Sequence, residues 1–251
     1  MNSVKVVLGF VEIALGLKFL SVADQTYHWG LLDREVYLAI WIVVFTLLGL
    51  YLLGKIRFES DEPVEHISVP RLTLSIVVFA FVVYLIPGMW GAPLKALSGY
   101  MPPITTQDFV TGQGASTSQA ECAVCEEFAP VAESKYGLHL PLGLSGYFTL
   151  EEGLAAAQKA GKPVFVDVTG HGCVNCREME SRVWSDPKVL DMLKNDFVVV
   201  ALYTDDKQKL DKSEWVTDAE TGKVYKDLGR ANSYTARTLW NVNAQPNYVL
   251  L

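Results

Sequence analysis

Three long apolar runs occupy the first hundred residues, and a shorter, punctuated pattern follows them. Residues 4–23 (VKVVLGFVEIALGLKFLSVA), 36–54 (VYLAIWIVVFTLLGLYLLG) and 72–91 (LTLSIVVFAFVVYLIPGMWG) are each long enough for a transmembrane helix, which needs about 20 mostly apolar residues. The second run carries no charge. Glu12 and Lys18 interrupt the first. Ionisable groups inside a span face a bundle interior or a pathway, or snorkel to the interface. Gly49 and Gly54 ease close helix packing, and Pro87-Gly88 ends or kinks the third run. No clear Ala-x-Ala cleavage site follows the first run and two more spans do, which argues against a signal peptide. Tyr27-His28-Trp29-Gly30 reads as an interfacial loop by its aromatics. His28 there is taken as interfacial rather than as a ligand.

Beyond these runs the pattern changes. Residues 96–144 read as a linker, because 105–120 is rich in Thr, Gln, Gly and Ser and has little to bury. From 145 onward, strand and helix signals alternate. Thr149 is the N-cap of a helix over 150–160, with Glu152 at the capping-box position. Val164, Phe165 and Val166 form a short buried strand. Residues 177–184 have helix-forming composition, with Met179, Val183 and Trp184 toward one side. Ser185-Asp186-Pro187 starts a further helix, running to about 194, with proline at its first position. The near-continuous apolar run 197–203 is a central strand. Residues 204–212 form a charged, solvated loop, and 224–241 are partly helical. Alternating strands and helices imply a sheet with helices on both faces. The domains are therefore 1–95 (membrane), 96–144 (linker) and 145–251 (an α/β domain).

Composition sharpens this picture. Half of the 251 residues are apolar, and mean hydropathy is +0.22, with the excess in the membrane part. Residues 1–99 hold 7 basic and 8 acidic side chains, and 100–251 hold 14 and 20. The soluble half is thus acidic, which excludes the basic face that nucleic-acid binding requires. Lys55, Arg57 and Arg71 lie in the loop between the second and third runs, against only Arg34 in the earlier loop. Lys and Arg mark the cytoplasmic side. The N-terminus then starts in the cytoplasm and the C-terminal domain lies across the membrane.

Cys173-Val174-Asn175-Cys176 follows at once on the strand and the breakers Thr169-Gly170-His171-Gly172. A Cys-x-x-Cys therefore sits where a strand ends and a helix begins. The first helical turn has unpaired N–H groups and a partial positive charge that favour a thiolate. Cys173 is the attacking thiol and Cys176 resolves the mixed disulfide. A structural disulfide or half a zinc site is the other reading of such a motif. The flanking strand and helix favour redox chemistry. Asp167, six residues before Cys173 inside the apolar strand, is placed to be buried, with its pKa raised, and to carry the resolving thiol's proton. Gln245-Pro246 precedes the apolar run 248–251. Such a site suits a cis peptide whose backbone docks a substrate strand. His171 and Asn175 flank the dithiol as pKa-tuning or turn residues. A second pair, Cys122 and Cys125, lies among acidic residues. It reads as an accessory dithiol, a static disulfide or part of a zinc site.

The string GYFTLEEGLAAAQKAGKPVFVDVTGHGCVNCREMESRVWSDPKVL resembles the C-terminal periplasmic domain of the DsbD family of thiol:disulfide interchange proteins. Strand, Asp167, Cys-x-x-Cys, helix and late Pro246 together look like thioredoxin. The membrane segment is similar to the same family. Val174-Asn175 departs from the Gly-Pro common between thioredoxin cysteines. The resemblance implies three transmembrane helices followed by a thioredoxin-like α/β domain. It also implies a protein-disulfide reductase with no cofactor beyond its cysteine pair and no metal, set in a bacterial inner membrane with its C-terminal domain in the periplasm. Electrons would come from cytoplasmic thioredoxin through a membrane domain and pass to periplasmic thiol proteins serving disulfide isomerisation and cytochrome c maturation. No cysteine precedes Cys122, so the family's intramembrane redox pair is missing. The sequence also ends on a strand where a thioredoxin fold expects another strand and helix, and it therefore reads as a fragment. A membrane-tethered binding module with a static disulfide, or a periplasmic thiol oxidase or isomerase, stands as the alternative.

Overall fold

The computed structural model describes residues 2–59, 61, 66–107 and 134–251. The pair Cys122 and Cys125 and most of the expected linker lie outside the described residues. The chain forms two units, one of Met1–Asp24 and Gly30–Gly114, the other of Gln25–Trp29 and Ala115–Leu251.

The first unit contains the three apolar runs as helices α1 (Asn2–Tyr27), α2 (Arg34–Leu52) and α3 (Val69–Leu85). The stretches Ser3–Tyr27, Arg34–Leu52 and Val69–Trp90, the last running on through a 3₁₀ turn, are long and apolar enough to cross a membrane. Large side chains such as Phe19, Val69 and Ile76 remain exposed on them, which suits a surface facing hydrocarbon. Tyr37, Leu38, Trp41 and Leu85 meet in a buried cluster. Gly49 allows α2 and α3 to approach closely, since a Cβ there would lie 2.7 Å from the Phe79 ring. Arg71 donates to the Leu52 and Tyr51 carbonyls at 2.6 and 2.9 Å, satisfying acceptors that the end of α2 leaves without helical partners. At Pro87-Gly88 the helix gives way to a 3₁₀ turn, Ile86–Trp90, because proline cannot donate the next helical bond.

The second unit is built on a four-stranded sheet in the order β1-β3-β2-β6. Its strands are β1 (Gly146–Tyr147), β2 (Val164–Thr169), β3 (Val198–Tyr203) and β6 (Asn247–Leu250); a separate hairpin pairs β4 (Val216–Thr217) with β5 (Val224–Tyr225). β1 and β2 run parallel to β3, and β6 closes the β2 edge antiparallel. Helices α4 (Leu150–Ala160), α5 (Val174–Met179), α6 (Pro187–Asn195) and α7 (Leu228–Trp240) cover the sheet.

Successive strand residues point to opposite faces, and the two cores follow that alternation. Val164, Val166, Val168, Val200 and Leu202 pack with Ala157 of α4 and Ala236 of α7. Val199, Ala201 and Tyr203 pack on the other face with Trp184, Leu193 and Leu228. By the same alternation Asp167 shares the face of Phe165 and Thr169, toward the second cluster. Period 2 thus puts the only acid of β2 on the face that carries Trp184.

The helices start where capping chemistry dictates. The Thr149 hydroxyl accepts from the Glu152 amide and donates to the Glu152 carboxylate, a variant of the capping box in which the acid accepts from the hydroxyl. Asp186 caps α6 through the Lys188 amide, with Pro187 in the first turn. Asp227 caps α7 through the Arg230 amide.

One boundary differs from the sequence expectation. Tyr136, Leu138, Leu140 and Leu144 are buried in the second core cluster, so 134–144 belongs to the folded domain rather than to a linker. Their alternate spacing is a strand-like signal hidden between polar neighbours. Gly146 then lets this segment approach β3, since a Cβ there would lie 2.3 Å from the Val199 carbonyl oxygen.

Gly153 shows which effect wins at a crowded helix site. Alanine would favour the helix by about 1 kcal/mol over glycine. Its Cβ, however, would fall 2.1 Å from Val200 Cγ2, and Val200 is fully buried. Overpacking typically costs about 1–3 kcal/mol, and overlap this severe belongs at the upper end. We expect Gly153→Ala to lower stability by on the order of 1–2 kcal/mol in denaturant titration. Val200→Ala should relieve the clash, so that the double variant costs less than the sum of the singles.

Candidate active site

β2 ends at Thr169, and Gly170-His171-Gly172 carries the chain to Cys173, which is the N-cap of α5. Asp205, just past β3, holds this loop. Its carboxylate accepts from the His171 amide at 2.9 Å and the Gly172 amide at 3.0 Å. Gly170 leaves room for two side-chain ends here, because a Cβ would lie 2.5 Å from Gln245 Oε1 and 2.8 Å from Asp205 Oδ2, both of which would have to shift.

Cys173 and Cys176 are joined as a disulfide, with a Cα separation of 5.3 Å. Cys173 Sγ also accepts from the Cys176 amide at 3.1 Å, the contact by which an N-cap side chain satisfies an orphan donor. Cys173 is half-buried, whereas Cys176 is 1 % exposed. The outer sulfur can therefore be reached by a partner and the inner one cannot. Helical dihedrals continue past Met179 into a wide π turn, Glu180–Trp184, closed by the Ser185 amide on the Glu180 carbonyl.

Behind the dithiol lies a buried charged group. Arg177 and Glu180 form an ion pair at 2.8 Å, and Arg177 also donates to Thr169 Oγ1 at 3.3 Å. Asp167 is 2 % exposed, and its Oδ1 has no hydrogen-bond partner among the described residues. Burial raises the Asp167 pKa to about 8; Glu180 pushes the same way, and Arg177 opposes both. Burial likewise raises Glu180, against the pull of Arg177. Tyr203 is pushed up to about 12, first by burial. Asp167 is therefore largely protonated at neutral pH in the oxidised protein. Because Glu180 helps hold that proton, Glu180→Gln should move the Asp167 titration to lower pH, which carboxyl ¹³C NMR would follow.

The structure brings Asp167, Cys173 and Cys176 onto one strand–loop–helix segment. The Gln245–Pro246 bond is cis, in the loop leading into β6, and the Gln245 amide nitrogen donates to Thr204 Oγ1. Asn175 is exposed. The His171 ring turns inward, 4.6 Å from the Tyr203 ring centroid and hydrogen-bonded to Asp206. Sequence reading missed Arg177, Glu180, Tyr203 and Asp206. Arg177 and Glu180 share a helical face at i,i+3, a spacing equally common on solvated helices. Asp206 was hidden in a run that reads as a charged surface loop.

Residues 146–219 match a family model described as thioredoxin-like. No curated protein sequence matches the chain. A solved solution structure of a thioredoxin from Thermus thermophilus is similar at 25% identity, with a TM-score of 0.30, over 42% of this chain and 63% of that protein. The chain thus spans less than two thirds of the thioredoxin it matches. The protein consists of three long apolar N-terminal helices followed by a thioredoxin-like α/β domain. That domain, with its Cys173–Cys176 pair, indicates thiol–disulfide redox chemistry.

Proposed function

We propose that this chain is a membrane-anchored protein-disulfide reductase of the DsbD type. The observation that carries the reading is the Cys173–Cys176 disulfide at the start of α5, one sulfur accessible and the other buried, on the same strand–loop–helix segment as the buried Asp167, whose pKa burial raises. In the reduced state the Cys173 thiolate attacks one sulfur of a partner disulfide. A mixed disulfide forms and one partner thiolate leaves. Cys176 then loses its proton toward Asp167 and attacks Cys173 Sγ, releasing the second partner thiolate. Two electrons pass to the partner, and the Cys173–Cys176 bond is restored. Asp167 serves as the proton acceptor for that second step, once ionised. The Gln245–Pro246 loop serves as a docking edge for the partner's extended backbone.

In this reading the three apolar helices anchor the chemistry at a bacterial inner membrane, and the Lys and Arg bias of the 55–71 loop supports a periplasmic thioredoxin-like domain. Electrons come from cytoplasmic thioredoxin through a DsbD-type membrane domain. The acceptors are periplasmic thiol proteins of disulfide isomerisation and cytochrome c maturation. The test is insulin-disulfide reduction by the full chain in detergent micelles with dithiothreitol as reductant. The proposal predicts turnover well above dithiothreitol alone; no acceleration would count against it.

A further inference from the structure

His28, His171 and Asp206 converge within the second unit, where Gln25–Trp29 accompanies the thioredoxin-like domain. His28 Nε2 lies 2.8 Å and His171 Nε2 2.9 Å from the same oxygen, Asp206 Oδ2. The candidate ligand atoms of the three residues all lie within 4.8 Å of one another. The Asp206 side chain is fully buried and His171 nearly so, while His28 is partly exposed. The group is thus rigid at its base and open at one edge.

Surrounding contacts fix each ligand. Asp206 Oδ1 accepts from the Gln208 amide at 2.7 Å, which orients the carboxylate and leaves Oδ2 to the imidazoles. The His171 ring packs on Tyr203, and its backbone amide is held by Asp205. The two imidazole rings meet edge-on at 5.9 Å. His28 adopts φ +56°, a left-handed conformation that costs a side-chain-bearing residue about 1–2 kcal/mol. Glycine would fit that backbone without cost, so the position retains its ring at an expense. Burial opposes ionisation of Asp206, but hydrogen bonds from His171 and His28 hold its pKa well below the usual carboxylate range.

We propose that His28, His171 and Asp206 form a divalent transition-metal site of the zinc class, with a fourth coordination position open to water or a small ligand. Two imidazole nitrogens and one carboxylate oxygen are a donor set of catalytic-type zinc sites, which keep one position free. Calcium and magnesium require all-oxygen shells. Copper(I) prefers thiolate and thioether sulfur. The hydrogen bonds to Oδ2 are met by imidazole tautomers that carry the proton on Nε2. On binding, each proton moves to Nδ1 and Nε2 becomes a ligand, so no electron is transferred and no net proton need be released. None of its ligands is a thiol, so metal binding there does not consume the dithiol.

The test uses the full chain in detergent with all four cysteines replaced by serine, so that no thiol can hold metal. Zn²⁺ is titrated against a chromophoric chelator, and Co²⁺ serves as a spectroscopic probe. The proposal predicts one Zn²⁺ per chain and a cobalt spectrum with d–d bands but no thiolate charge transfer. His28→Gln should weaken Zn²⁺ binding by more than about 100-fold, since loss of even an outer-shell partner costs about 10–100-fold. Asp206→Asn should do the same. His28 is partly exposed and glutamine can still donate to Asp206 Oδ2, so His28→Gln should leave the metal-free protein folded and remains informative if Asp206→Asn fails to fold. No zinc at one equivalent would overturn the proposal and leave a purely hydrogen-bonded cluster. So would zinc binding that His28→Gln does not change.

Discussion

The proposed reductase chemistry predicts that Cys173→Ser will abolish disulfide reduction and that Cys176→Ser will stop it half-way. The two sulfurs differ in access: Cys173 is half-buried, and Cys176 is 1 % exposed beneath it. Only Cys173 can meet a partner disulfide, so serine there removes the nucleophile. The loss of turnover should be about 10³-fold or more, the scale on which covalent enzymes respond when the attacking atom is removed. Serine at 176 leaves the first attack intact but removes the group that releases the product. The expected result is a stable mixed disulfide on Cys173, visible by non-reducing electrophoresis and by mass spectrometry. If Cys176→Ser turned over like the parent, resolution by Cys176 would be wrong. If Cys173→Ser trapped the partner instead, the roles of the two sulfurs would be exchanged.

Asp167→Asn should slow the second step and stabilise the fold at alkaline pH. Removing a positioned general base typically costs about 10²-fold or more, so product release from the mixed disulfide should slow by about that factor. In the parent, release should accelerate as pH rises toward about 8, where Asp167 ionises; the variant should lose that inflection.

The stability effect has the opposite sense from that of a typical surface carboxylate. The folded pKa of Asp167 lies above the unfolded one, so between about pH 4 and 8 the folded state binds more protons. Stability is complete at pH values below both and falls as pH rises through that window. The shift from 3.8 to about 8 corresponds to on the order of 5 kcal/mol at about 1.4 kcal/mol per pH unit. Asparagine avoids the charge but still buries an amide with few partners, which costs about 1–3 kcal/mol. The net gain above pH 8 should be about 2–4 kcal/mol, falling as pH is lowered and turning into a net loss of about 1–3 kcal/mol near pH 4, where only the amide cost remains. Denaturant titrations of the oxidised protein at pH 4, 7 and 9 would measure it. A gain independent of pH would mean that Asp167 is not the group titrating.

Much of this architecture is legible in the residue pattern, because strong periodicities carried it. Runs of about 20 apolar residues can scarcely be anything but long buried or membrane-crossing helices. The apolar run 197–203 became β3, and Pro187 and Thr149 sit where helix-start chemistry puts them. The strand–Cys-x-x-Cys–helix order placed the dithiol at the N-cap of α5. What stayed hidden depends on contacts remote in sequence. Tyr136, Leu138 and Leu140 are core residues only because β1 and Gly146 bring them to β3. His28 reads as an interfacial aromatic neighbour, and only the fold sets it on Asp206, 178 positions later. Asp206 itself reads as solvated loop until its burial is seen. Likewise, the acid Glu180 looks like a helix-surface residue, yet the π turn after α5 places it in the interior.

The most direct test of the central claim is the equilibrium reduction potential of Cys173/Cys176 in the full chain with Cys122 and Cys125 replaced by serine, titrated against dithiothreitol and glutathione buffers. A value near that of reducing thioredoxins, about −270 mV, is the result expected of a domain that donates electrons. A value near about −120 mV, at the strongly oxidising end, would mean that the dithiol makes disulfides, and the proposed direction of electron flow would be contradicted.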